Sequence, residues 1–179
     1  MNRRQLEHLI RAATTIAADD ELIVIGSQAI LGQYPNAPSE LLRSMEADVY
    51  PRNKPERADL IDGSIGEGSP FHEMFGYYAQ GVGPETAVLA PGWRDRLVPI
   101  RSEATRGATG WCLEAHDLVL SKLVAGRAKD LDFAACAARA GMVDAEELRR
   151  RLHELEIDPR LRDAAAARIE RTVARSRDG

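Results

Sequence analysis

Leu22-Ile23-Val24-Ile25-Gly26-Ser27-Gln28 is the stretch on which the reading of the fold turns. Four consecutive branched apolar residues, too few for a helix, predict a short buried strand. Gly26-Ser27 follows at once, and Gln28 to Gln33 predicts a short helix. The strand therefore ends in a tight turn at a helix start. A glycine there lets backbone N–H groups approach a ligand, the helix N-terminus adds partial positive charge, and Ser27 supplies a hydroxyl; together these suit a phosphate. The same residues also make an ordinary tight turn with a capping serine.

Working outward, Leu6, Leu9, Ile10, Ala13, Ile16 and Ala17 recur at helical spacing and predict an amphipathic helix over residues 3–18. On the other side Pro35 and Pro38 interrupt the chain, Ser39 to Leu42 forms a turn, and Ala47-Asp48-Val49-Tyr50 predicts a second strand stopped by Pro51. Glu46 and Asp48 stand two apart and so point to one strand face. Two adjacent carboxylates repel unless a hard cation lies between them, and Mg²⁺ suits such a pair plus nucleotide phosphates. Two solvated acids on an exposed face are the plainer alternative. Pro55 to Ile65 reads as a helix, Gly63 to Pro70 as a glycine-rich loop, and residues 76–82, 86–89, 97–100 and 109–113 as strands. From Glu114 onward everything reads helical, with Asp144 placed to cap the helix holding Glu147. The expected fold is α/β (α+β): a small mixed sheet flanked by helices over 1–113, then a helical C-terminal part over 114–179.

With 179 residues, 44% of them hydrophobic, the chain is long enough for a core without disulfide or metal staples. Its net charge is 24 − 28 = −4, which argues against general coating of a polyanion but not against a local phosphate site. No apolar run approaches the ~18 residues of a membrane span. Glu7, His8 and Arg11 interrupt any signal-peptide core, and two cysteines in apolar contexts, Cys112 and Cys136, fit a reducing compartment; a cytoplasmic location is expected. Beyond Ala140 the chain holds nine Arg and nine Asp or Glu, a solvated face rather than a basic arm.

Only three lysines occur: Lys54, Lys122 and Lys129. Lys122 lies among Leu and Val on a helix, where a lysine either reaches out to solvent or meets an anion. A glycine break follows, then Arg127, Lys129, Asp130 and Asp132 at the start of the next helix, where the two acids also complement the helix dipole.

Gly26-Ser27, then Glu46 and Asp48, then Lys122-Leu123, Ala125, Arg127 and Lys129-Asp130 resemble, in that order, the nucleotidyltransferase superfamily. The likeness is to its toxin-like branch, the AbiEii-type and related bacterial proteins, and spans about residues 22–133. It implies that Gly26 and Ser27 meet the triphosphate, that Glu46 and Asp48 hold Mg²⁺ (or Mn²⁺), and that Lys122, Arg127 and Lys129 face the nucleotide. Asp130 would be a further active-site acid. The implied reaction moves a nucleoside monophosphate from an NTP to an RNA (tRNA) or protein acceptor, as in the toxin of a toxin–antitoxin pair with an antitoxin protein as partner.

Two features depart from the superfamily pattern. The interval from Ser27 to Glu46 is long and holds both prolines, and the run expected to carry a third carboxylate, Tyr77 to Val82, offers the neutral Gln80. Gln80 motivates a second reading, a catalytically inactive module that binds a nucleotide or a partner. A metal-dependent nuclease on Asp48, Asp59, Asp62 and Asp95 ranks third, because the first strand ends in Gly-Ser rather than in an acid. The Gly63–Gly68 run lacks the Lys-Ser/Thr of a P-loop, but can still be a loop over the site. Cys112, His116 and Cys136 fall short of a closed zinc set.

Overall fold

A computed structural model describes residues 1–177 of the chain. Its contacts divide the chain into two compact units, Met1–Thr86 with Leu97–Leu113, and Ala87–Arg96 with the helices from Glu114 onward.

The first unit is built on a mixed sheet of five strands among the described residues: β1 (Glu21–Val24), β2 (Glu46–Pro51), β3 (Tyr78–Gly81), β4 (Val98–Ile100) and β5 (Thr109–Cys112), in the order β3-β2-β1-β5-β4. β1 runs antiparallel to β2 and parallel to β5, while β2 and β3 are parallel. Strand alternation gathers Leu22, Val24, Ala47, Val49, Ala79, Gly110 and Cys112 on one face.

That face is the one the helices of this unit cover. Helix α1 (Arg3–Ala17) buries Leu6, Leu9, Ile10, Ala13 and Ala17 of the predicted stripe, leaves Ile16 half-buried, and opens with an Asn2–Gln5 capping box. It sits so near β5 that a methyl group on Gly110 would stand 2.4 Å from Ile10 Cδ1. After a 3-10 turn, Ser27–Ala29, the short α2 (Ile30–Gln33) crosses the same face, and a methyl on Gly32 would stand 2.6 Å from Cys112 Cβ. Helix α3 (Ala58–Ile65) does likewise, its Ala58 carbonyl lying against Gly81. Gly110 and Gly32 thus make room for a neighbouring side chain, and Gly81 for a neighbouring backbone carbonyl.

The sequence expectation fails at two places. Residues 86–89 are not a strand; Pro84–Thr86 is a single 3-10 turn and the chain beyond it passes to the other unit. The segment has no strand neighbour to satisfy its backbone, which apolar patterning cannot reveal. Conversely Pro70–Phe75 forms a helix, α4, capped by the Ser69 hydroxyl and ended by Gly76 in a left-handed conformation.

The second unit contains α5 (Ala115–Ala125), α6 (Ala128–Arg139), α7 (Ala145–Glu154) and α8 (Pro159–Arg177). Arg168 donates to the Leu123 and Val124 carbonyls at the end of α5, satisfying groups that a helix terminus otherwise leaves bare. Asp144 caps α7 through the Glu147 N–H, as the spacing predicts. Segment Ala87–Arg96 is tied in by Arg96, which forms a two-pronged bond to Asp117 at 2.8 and 2.9 Å. No helix among the described residues is long and apolar enough to cross a membrane.

Candidate active site

On the sheet face opposite α1, α2 and α3, β2 and β3 present a small polar tile. Alternation turns Glu46 and Asp48 to that face, and the parallel register sets Tyr78 beside Glu46 and Gln80 beside Asp48. Glu46, Asp48 and Tyr78 are half-buried, whereas Gln80 is exposed.

Asp48 is held at both backbone and side chain. Its carbonyl accepts from the Ile25 N–H at 3.0 Å, which joins the end of β1 to β2. Its carboxylate then lies directly over Gly26, where a methyl group would be 1.9 Å from Oδ2 and 2.7 Å from Cγ. The glycine is therefore required by steric room for the acid. Its own φ of −78° is accessible to any residue. The turn that follows begins at Ser27, half-buried, whose hydroxyl has no hydrogen-bond partner among the described residues. Gln28 is fully buried and anchors the turn through Nε2 to the Ser44 carbonyl at 3.2 Å. The Ser44 hydroxyl in turn accepts from the Glu46 N–H, so turn and strand are fixed to one another.

Sequence reasoning missed the groups around Glu46. The Tyr78 hydroxyl donates to Glu46 Oε2 at 3.1 Å. Burial pushes the Tyr78 phenol up to about 12, helped by the negative charge and hydrogen bond of Glu46 and by the charges of Glu67 and Asp48. Glu67, in the glycine-rich loop, is thus felt at the tile. His72 of α4 packs on Tyr78 with ring centres 4.6 Å apart, and its Nδ1 accepts from the Gly68 N–H at 3.0 Å. The Tyr77-Tyr78 pair, read with period two beside Glu46 and Asp48, was the available signal; the strand register that makes it meaningful is a tertiary fact.

Lys122, Arg127, Lys129 and Asp130 belong to the second unit. Asp130 has a fully buried side chain that accepts from Arg127 Nε at 2.6 Å and from Lys122 Nζ at 3.2 Å. Burial opposes its ionisation, but the bonds and charges of Arg127 and Lys122 prevail and hold its pKa below the usual carboxylate range. Lys122 Nζ also lies 4.8 Å from the centre of the Phe133 ring. The acid therefore orders two cations side by side, while Lys129 is exposed.

A Gly-Ser turn after the first strand, with two carboxylates projecting from the next, defines a nucleotidyltransferase-like core. Residues 4–170 match the family described as nucleotidyltransferase of unknown function (DUF6036), and the chain belongs to that family. No curated protein and no solved structure matches it.

The closeness of Gly26 to Asp48 makes a prediction. Gly26→Ala has to displace the Asp48 carboxylate by about an ångström, and misplacements of that size cost about 10²-fold in rate at a preorganised site. On the transfer reading proposed below, activity of Gly26→Ala is expected to fall about 100-fold, with circular dichroism and melting temperature close to wild type.

Proposed function

We propose that this protein transfers a nucleoside monophosphate from an NTP to an RNA or protein acceptor, with Mg²⁺ or Mn²⁺ held by Glu46 and Asp48. The observation that carries this reading is the Asp48 carboxylate seated over Gly26, on one face with Glu46 and beside the turn that presents the unpartnered Ser27 hydroxyl. Two oxygen donors suit a hard cation that completes its shell with phosphate oxygens and water. No set of three His, Cys, Asp or Glu able to hold a metal occurs among the described residues, so substrate oxygens would have to supply the remaining ligands. A bound divalent ion would neutralise charge developing on the phosphates.

The chain's own residues have defined parts in this reading. Gly26 leaves room for the acid, Ser27 would bond a phosphate oxygen, and Glu46 and Asp48 would hold the divalent ion that screens the triphosphate charge. An acceptor hydroxyl then attacks the α-phosphorus and gives up its proton to solvent, the α–β phosphoanhydride bond breaks, and pyrophosphate leaves. Lys122 and Arg127, ordered by Asp130, form a paired cation of the kind that binds polyphosphate. Resemblance to the AbiEii-type proteins supports a tRNA or protein hydroxyl as acceptor, and a toxin restrained by an antitoxin protein.

The test supplies each α-labelled NTP, Mg²⁺ and total tRNA to the purified protein. Label fixed to RNA or to protein, and lost on chelation of the metal, is the expected result. Gln80, neutral and opposite Asp48 where a further carboxylate would strengthen the metal site, favours a second reading as a nucleotide- or partner-binding module without turnover. NTP binding with no label in either fraction would select its nucleotide-binding form, and absence of NTP binding would overturn that form and the transfer reading alike.

A further inference from the structure

Resting on the metal-dependent reading above, we infer that Tyr78 is the positioning residue of the site: its hydroxyl fixes the Glu46 carboxylate in the orientation that binds the divalent cation. Glutamate reaches its ligand position through three rotatable bonds, and ordering a chain of that kind costs rotamer freedom. Asp48, one carbon shorter, is already confined by its contact with Gly26. Glu46 has no such backbone clamp. Its restraint comes from across the sheet.

The parallel register places Tyr78 beside Glu46, and the phenol donates to Oε2 at 3.1 Å. Oε1 has no hydrogen bond among the described residues and is left to serve a cation. A phenol suits this task because beside a carboxylate it stays a donor and adds no charge of its own to compete with the cation. Tyr78 is itself braced, with the His72 ring on its face and the Gly68 N–H holding His72 Nδ1. The Ser69 hydroxyl fixes the start of α4 by accepting from the His72 N–H at 3.1 Å. Ser69, His72, Tyr78 and Glu46 thus form one line of support running from the α4 cap to the metal-facing carboxylate. Partners that orient metal ligands in this way are worth about 10–100-fold in metal affinity.

Tyr77 gives an internal control. Its hydroxyl makes a comparable bond, 2.8 Å to His8 Nδ1, but its side chain points to the opposite sheet face, where it joins a ring cluster with His8, Phe71 and Phe75. Removing either hydroxyl takes one side-chain hydrogen bond from the same strand region; only Tyr78 touches Glu46.

The experiment titrates Mn²⁺, followed by its electron paramagnetic resonance signal, into wild type, Tyr78→Phe, Tyr77→Phe and Asp48→Ala, each with a non-hydrolysable NTP analogue. Tyr78→Phe is expected to weaken Mn²⁺ binding about 10–100-fold and to broaden the bound signal, with Tyr77→Phe equal to wild type and melting temperatures of the two Phe variants alike. Tyr78→Phe binding as tightly as wild type, or Tyr77→Phe weakening it equally, overturns the positioning role. If Asp48→Ala binds Mn²⁺ as well as wild type, or wild type binds none, the metal reading itself fails and this inference falls with it.

Discussion

Asp48→Ala is expected to reduce nucleotidyl transfer about a thousandfold or more, to the background of the assay, while leaving the fold intact. The carboxylate is one of only two acids that β2 offers to the polar face, so its loss halves the protein's oxygen donors to the proposed cation. A metal that neutralises phosphate charge is worth several kcal/mol in an in-line displacement, and each 1.36 kcal/mol is tenfold in rate. The fold is insulated from the change because Asp48 contributes to the sheet through its carbonyl, which accepts from Ile25 whatever side chain is present. Alanine also removes bulk from above Gly26 rather than adding it. The measurement is label transfer beside a thermal melt. Full activity in Asp48→Ala would dismiss the carboxylate pair as the metal site.

Arg151→Ala is expected to destabilise the helical unit by about 3–5 kcal/mol, the usual cost of leaving buried acids without their cation. Arg151 is 5% exposed and holds Glu114 Oε2 at 2.6 Å, Glu147 Oε1 at 2.6 Å and Asp117 Oδ1 at 3.0 Å. Asp117 would keep Arg96, and Glu114 would keep His116 Nδ1 at 2.6 Å, so the network loses its centre rather than every partner. At roughly 2–4 °C per kcal/mol for a chain of this size, the melting temperature should drop about 6–20 °C. The acid limb of stability carries the same information. Burial would raise the Glu114 carboxyl, but the hydrogen bonds and charges of His116 and Arg151 outweigh it and pull the pKa down from 4.5 to about 2. A carboxylate depressed on folding stabilises the native state above its unfolded pKa, and that contribution disappears as pH falls through the folded value. Wild type should therefore lose about 3 kcal/mol between pH 4.5 and 2 on this account, and Arg151→Ala much less. Equal acid limbs in chemical denaturation would show that Arg151 does not control Glu114.

Much of this was legible from residue order. The stripe Leu6, Leu9, Ile10, Ala13, Ala17 is α1, the run at 22–25 is β1 within one residue, and Asp144 caps α7. Glu46 and Asp48 share a face because β2 is a strand, and two-residue periodicity is a local property. Local rules also mislead at 86–89, where apolar residues leave the sheet unit, and at Pro70–Phe75, where the Ser69 cap and Pro70 in the first turn start a helix directly after a glycine-rich run.

The sequence by itself determined the groups on which the proposed chemistry rests: a Gly-Ser turn after a short apolar strand, paired acids on the next, and a Lys-Arg-Asp element in a helical second half. These are set by composition and short-range spacing, which backbone sterics and side-chain alternation translate directly. Only the tertiary structure decided that Gly26 is the seat of the Asp48 carboxylate, that Tyr78 bonds Glu46, and that Asp130 is sequestered by Lys122 and Arg127. The first two depend on strand order and register, and the third on the packing of two helices across a turn. The two register-dependent pairings arise from burial summed over a whole unit, which no window of neighbouring residues contains.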